Sequence, residues 1–195
     1  MPDIDVDRER ITARVLYYGP GLSGKSTNFY YVRDHMSKNR QGQMRLLNAR
    51  KADRKVIELL PLHMDSLKGF DLTYHLCTVP GKASLYKIRR SALRNTDGVI
   101  FVADSRKKRE LANRDSMQDL EENLRANNLR LEDMPHVLQY NQRDRPDIFS
   151  VAKLRSMLNK HGVREFEAIA TIGQGVMETL FALFKLVRED ISRRI

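Results

Sequence analysis

Cysteine is nearly absent: Cys77 stands alone among 195 residues. One thiol cannot build an internal disulfide, which fits a reducing compartment, and its apolar neighbours point to a buried structural role. Long apolar runs are missing too. The stretches that come nearest, such as 98–103, fall far short of the roughly 20 residues of a membrane-spanning helix. The first residues, Met1, Pro2, Asp3, Ile4 and Asp5, lack the basic start and apolar stretch of a secretory leader. Position 2 is not glycine and the last residues, Ser192 to Ile195, contain no cysteine, so neither myristoyl nor prenyl attachment is expected. The expected location is the cytoplasm, with no direct membrane anchor. Repeats, low-complexity tracts and linkers are also lacking, and the length suits one domain over 1–195.

What is present is an ordinary globular composition, 41% apolar and 31% charged, which excludes disordered and fibrous classes. A net charge of +10 raises the possibility of nucleic-acid binding. Asp and Glu are interspersed through most basic stretches and no DNA- or RNA-binding signature accompanies them, so the expectation is no nucleic-acid partner. The densest basic segments, 50–55 and 82–94, lie beside the expected phosphate site. There a positive field suits a nucleotide or an acidic protein.

Periodicity predicts an α/β domain. Strand-like runs over 11–18, 43–47, 70–79, 98–103, 135–140 and 165–170 alternate with helical patterns over 26–36, 110–127 and 150–160 and a final stripe from Val176 to Ile191. This order gives a single P-loop-type domain with a mostly parallel central sheet and helices on both faces. Ligands of such sheets bind beyond the carboxyl ends of the strands. The loops after Tyr18, Val79, Ala103, Tyr140 and Ala170 are therefore expected to converge.

Gly19, Pro20, Gly21, Leu22, Ser23, Gly24, Lys25 and Ser26 fit G-x-x-x-x-G-K-[ST] between a predicted strand and a predicted helix, the context the motif requires. The glycines allow main-chain N–H groups to surround phosphate oxygens, and the helix adds its positive end. Lys25 is expected to bridge the β- and γ-phosphates and the Ser26 hydroxyl to ligate magnesium; Thr27 follows on the same turn.

A P-loop alone does not choose the base. Asn141, Gln142, Arg143 and Asp144 follow the 135–140 strand and resemble the N-K-x-D guanine motif. A fixed carboxylate at Asp144 accepts from N1–H and the 2-amino group of guanine, and adenine offers neither donor. Asn141 is expected to tie this loop to the P-loop, and the main chain of Ala170 and Thr171 to meet the guanine O6. Gln142 replaces the usual Lys, and its shorter stem is expected to pack less over the base and to weaken affinity without changing base choice.

With both ends in place, the chain resembles the bacterial Ras-like small GTPases of the MglA type over nearly its whole length. The resemblance is carried by the stretch from Tyr17 to Asn28, by Leu60, Pro61 and Leu62, by Thr78, Val79, Pro80 and Gly81, and by the stretch from Asp97 to Ser105. It implies a molecular switch for cell polarity, gliding and type IV pili. GTP would order the loops around Arg54 and Gly81 and expose a surface for polar effectors. The implied partners are a response-regulator-like polar recruiter and a roadblock-fold activating protein, with recruitment to a cell pole through them.

Two departures fall on the hydrolytic residues this resemblance implies. Arg54, in the position of an intrinsic arginine finger, is kept, but Lys55 stands where the type has a magnesium-binding Thr. An ammonium cannot ligate magnesium, which puts metal dependence in doubt. Lys82 replaces the Gln that orients the attacking water; an ammonium donates but does not accept. GTP and GDP are thus the expected ligands, and hydrolysis is expected to be slow. Two other readings stay open: a nucleotide-free interaction scaffold on the same fold, motivated by Lys55, Lys82 and Gln142, and nucleic-acid binding through the basic surface.

Overall fold

The run Arg10–Tyr18 is the strand around which the domain is organised, and its side chains divide by parity. In the computed structural model, which describes residues 2–47, 57–80 and 86–195, Ile11, Ala13, Val15 and Tyr17 enter one core, while Leu16 and Tyr18 enter another. Alternation with both sets buried belongs to a strand covered on two faces.

The described strands are β1 (Asp3–Asp5), β2 (Arg10–Tyr18), β3 (Arg45–Leu47), β4 (Ile57–Leu67), β5 (Phe70–Thr78), β6 (Gly98–Asp104), β7 (His136–Asn141) and β8 (Glu165–Glu167). The described α-helices are α1 (Lys25–His35), α2 (Tyr86–Leu93), α3 (Glu110–Arg125), α4 (Val151–Leu158) and α5 (Val176–Arg194). The sheet order is β3-β4-β5-β2-β6-β7-β8, with β1 added alongside β2. Pairings from β5 through β2, β6 and β7 to β8 are parallel; β1 with β2, β3 with β4 and β4 with β5 are antiparallel. The fold is thus the α/β class with a mostly parallel sheet that the sequence predicts.

Helices α1 and α5 cover the first face through Phe29, Val32, Leu180, Leu183, Phe184 and Val187. Helices α2, α3 and α4 cover the second through Leu93, Met117, Leu120, Leu124, Leu154 and Leu158. Each such fully buried side chain contributes about 1.5–3 kcal/mol. Gly98 opens β6 because α5 lies close against it: a Cβ there would stand 2.6 Å from Val187 Cγ2.

The structure departs from the sequence pattern in local ways. Strand β4 is not foreseen, since Glu58, Pro61, His63 and Asp65 interrupt its apolar residues. It nevertheless pairs with β5 from Glu58–Thr78 to Met64–Leu72, and after a register shift at Leu67–Phe70. Pro61 is tolerated near the sheet edge, where its carbonyl accepts from Gly42 N at 2.9 Å. Helix α2 emerges from a segment that reads as merely basic, and β1 is also unforeseen. The expected 165–170 strand stops at Glu167, because Ile169 turns to bridge Gln174. Helix α4 starts where expected, with Ser150 Oγ accepting from Lys153 N at 3.2 Å.

Candidate nucleotide-binding site

Where β2 ends, the chain must turn sharply to enter α1, and two glycines allow it. Gly19 has φ 138, and a Cβ there would lie 2.2 Å from the Val102 carbonyl oxygen. Gly24, the residue before α1, has φ 102, and its Cβ would lie 2.1 Å from Asn141 Nδ2. Neither position accepts a side chain. Helix α1 then presents its N-terminus to the loop, with Ser26 and Thr27 exposed on the first turn.

Lys25 is buried, 6% exposed. Its ammonium donates to the Gly19 carbonyl at 2.9 Å and to the Pro20 carbonyl at 2.6 Å. Burial, followed by the charges of Arg89 and Arg109, lowers its pKa to about 7. A cation held at such cost in a polar cradle is suited to accept an anion that relieves the cost. Ser23 is fully buried, and its hydroxyl has no hydrogen-bond partner among the described residues. Leu22 is 82% exposed at the tip of the loop.

The strand-end loops meet at Asn141. Its Nδ2 donates to the Ser23 carbonyl at 2.8 Å and its Oδ1 accepts from Ala170 N at 3.0 Å. One side chain thereby fastens the loop after β7 to the P-loop and to the turn after β8. Gln142, at φ 65, donates from Nε2 to the Leu22 carbonyl at 2.6 Å. This bridge is missed by a reading that credits Gln142 only with thinner packing over a base.

Arg143 points away and anchors the loop from behind, donating to Glu167 Oε2 at 2.7 Å and to the Phe149 carbonyl at 2.8 Å. Asp144 stays accessible, with only the exposed Arg145 at 3.7 Å as an ion-pair partner among the described residues. Ala170 is buried and Thr171 exposed beside it. Gly81 and Lys82, and Asp53, Arg54 and Lys55, lie outside the described residues.

Three arginines join the site without having been singled out in the sequence. Arg109 donates from Nη2 to the Gly21 carbonyl at 2.6 Å. Arg106 forks onto Asp104, Nε to Oδ1 at 3.0 Å and Nη2 to Oδ2 at 2.6 Å, and Asp104 is fully buried at the end of β6. Arg89, on α2, is 2% exposed and donates from Nε to the Tyr18 hydroxyl at 3.0 Å. Arg106 to Arg109 looks like a solvated basic run in sequence; only its position directly after an apolar strand hinted at more. No group of three or more His, Cys, Asp or Glu that could hold a metal occurs among the described residues.

A glycine loop feeding a helix, a buried lysine inside it and an Asn that locks a distant loop to it define a P-loop nucleotide-binding domain. The model of the ADP-ribosylation factor family matches residues 9–187, and the chain belongs to that family, a guanine-nucleotide-binding class of Ras-like small GTPases. Among characterised relatives, the mutual gliding-motility protein MglA of Myxococcus xanthus (strain DK1622) is 36% identical over 193 residues, covering 99% of each chain. The likeness to the MglA type thus extends from end to end. No described helix is long and apolar enough to cross a membrane.

Proposed function

We propose that this protein is a GTP-dependent switch for gliding motility and cell polarity, acting in the manner its relative's name implies, with slow hydrolysis of its own. The observation that carries the nucleotide reading is the Asn141 junction, which holds phosphate loop and base loop in one unit. A phosphate chain cradled by Gly19 to Thr27 would engage Lys25, and the accessible Asp144 would select guanine over adenine. Gly21, Leu22, Ser23 and Gly24 would supply main-chain N–H groups, Asn141 and Gln142 would set the spacing of the two loops, and Ala170 and Thr171 would face the guanine O6.

Magnesium fits the accessible Ser26 hydroxyl on the first turn of α1. When bound, it would supply neutralisation of phosphate charge. Lys55 gives it no second protein ligand, which favours weak metal dependence. Arg54 would stabilise charge on the transferred group, Gly81 would donate its N–H to the terminal phosphate, and Lys82 would neutralise charge without orienting water. A long-lived GTP state would then dock polar effectors, including a response-regulator-like recruiter that brings the protein to a cell pole. A roadblock-fold protein would accelerate turnover, and control would extend to type IV pili.

The self-contacts of Lys25 with Gly19 and Pro20 favour a second reading, a scaffold that no longer takes nucleotide. One experiment separates the two. Protein denatured after purification is assayed for released guanine nucleotide, and single-turnover GTP hydrolysis is then measured with and without magnesium. Released GDP or GTP with slow turnover supports the switch. Absence of nucleotide together with no uptake of a fluorescent GDP analogue establishes the scaffold, and rapid intrinsic turnover removes the slow-hydrolysis part alone.

A further inference from the structure

The end of β6 carries more positive charge than it can neutralise. Asp104 is fully buried, and both its oxygens already accept from Arg106, at 3.0 Å and 2.6 Å. Arg109 reaches the same carboxylate only at 3.5 Å, and its Nε is buried without a hydrogen-bond partner among the described residues. Two guanidiniums thus share one carboxylate. The remainder of the Arg109 head is directed to the P-loop, where Nη2 donates to the Gly21 carbonyl at 2.6 Å.

Position makes that surplus charge informative. Arg109 immediately precedes α3, so its backbone is fixed by a long packed helix rather than by a mobile tip. Its contact with the Gly21 carbonyl sets it beside the P-loop, and its charge, after burial and the charge of Arg89, depresses the proton affinity of Lys25, the residue that reaches the β- and γ-phosphates in such loops. A guanidinium that is only partly paired, held by one carbonyl and next to a phosphate-seeking lysine, gains most from an additional anionic oxygen.

We propose that Arg109 is a positioning and specificity-determining residue of the phosphate site: it fixes the Gly21 corner and directs its surplus charge to the terminal phosphate, so that the site favours nucleoside triphosphate over diphosphate. The proposal rests on the nucleotide-binding reading above. Arg109 acts from the turn that enters α3, while Gln142, from the loop after β7, holds Leu22. Together they grip adjacent carbonyls of the P-loop, one through a neutral amide and one through a charge.

The test is the ratio of two affinities. Dissociation constants for fluorescent GDP and for a fluorescent non-hydrolysable GTP analogue are measured on the wild type, Arg109→Gln and Arg109→Lys, with thermal unfolding as a check on folding. Loss of one charge-assisted contact is expected to weaken the triphosphate about tenfold in Arg109→Gln, with a much smaller change for GDP and partial recovery of the ratio in Arg109→Lys. Equal losses for both ligands, or no change in either, overturn the proposal, because a simple structural tether gives no preference between phosphates. Wild-type protein that binds neither ligand overturns the guanine-nucleotide reading itself, and with it this role; a wild type that binds both while Arg109→Gln keeps the wild-type ratio of affinities overturns only the role of Arg109.

Discussion

The two faces of the sheet are held by different chemistry, and adjacent tyrosines of β2 show it. Tyr17 is turned toward α1 and α5, wholly buried, and its hydroxyl has no partner among the described residues. That face stacks Tyr74 on Phe184, 3.9 Å between ring centres, and the buried polar chain it carries is uncharged, Gln139 Nε2 donating to Asn28 Oδ1 at 3.0 Å and to Thr179 Oγ1 at 3.1 Å. Tyr18 is turned toward α2 and α3. Its hydroxyl donates to Asp119 and accepts from Arg89 and Asn123, the Arg89 guanidinium lies 4.5 Å over its ring, and Arg89 pairs with Asp119 at 2.7 Å. Apolar packing is non-directional and tolerates small shifts, whereas a buried charged network has one satisfied geometry and a high cost for any other. The α1/α5 side is therefore expected to tolerate small shifts better. The α2/α3 side carries a charged knot that begins one residue before Gly19.

The contrast is broken most strongly by truncation on each side. Leu183→Ala, at a position with no measurable exposure, is expected to cost about 3 kcal/mol in denaturant unfolding. Arg89→Leu is expected to cost about 1–2 kcal/mol, less than for a fully buried pair because Asp119 is 28% exposed and water can take over. Should Arg89→Leu prove the more damaging of the two, the charged network rather than apolar packing would dominate the stability of the domain.

Electrostatics sharpen the comparison next. Folding lowers the Lys25 pKa from 10.5 to about 7, so between those values the unfolded chain binds more protons than the folded one. Stability of nucleotide-free protein is therefore expected to rise with pH above about 7, by about 1.4 kcal/mol per unit at most, and to be lowest below 7. Chemical denaturation from pH 6.5 to 9 checks this, and a flat profile would mean that the Lys25 charge is solvated or paired in solution. The smallest effects separate the tyrosines. Tyr18→Phe leaves Arg89, Asp119 and Asn123 short of a partner and is expected to cost about 1 kcal/mol, whereas Tyr17→Phe deletes an unpaired hydroxyl and is expected to be neutral or slightly stabilising. Matched thermal melts of the two variants decide it.

Much of this organisation is legible in the sequence. The unbroken apolar run of β6, the alternation of β2 that ends in Val15 to Tyr18, and the stripe of α5 were visible because burial on a whole face leaves a periodic trace. The P-loop and the Asn141 loop were visible because turning a main chain toward an anion demands particular residue types at fixed spacing. Strand β4 was not, since a half-covered strand next to a sheet edge can carry Glu58, Pro61 and Asp65 without penalty. Nor were Arg89, Arg106 and Arg109, whose partners lie on other elements; a buried arginine and a solvated one are the same letter in sequence. The bridge made by Gln142 was hidden for a related reason, because an amide at φ 65 aims where no spacing rule would send it.

Cys77 has a practical corollary. It lies near the end of β5 with no exposure, and burial pushes its thiol up to about 12, so the native chain presents no reactive sulfur to alkylating reagents. A single cysteine engineered on the surface, for instance on the outer side of α2, would accept a fluorescent or spin probe without background. The motions of one helix could then be followed in an otherwise natural sequence, and late labelling of Cys77 itself would mark the moment the domain comes apart.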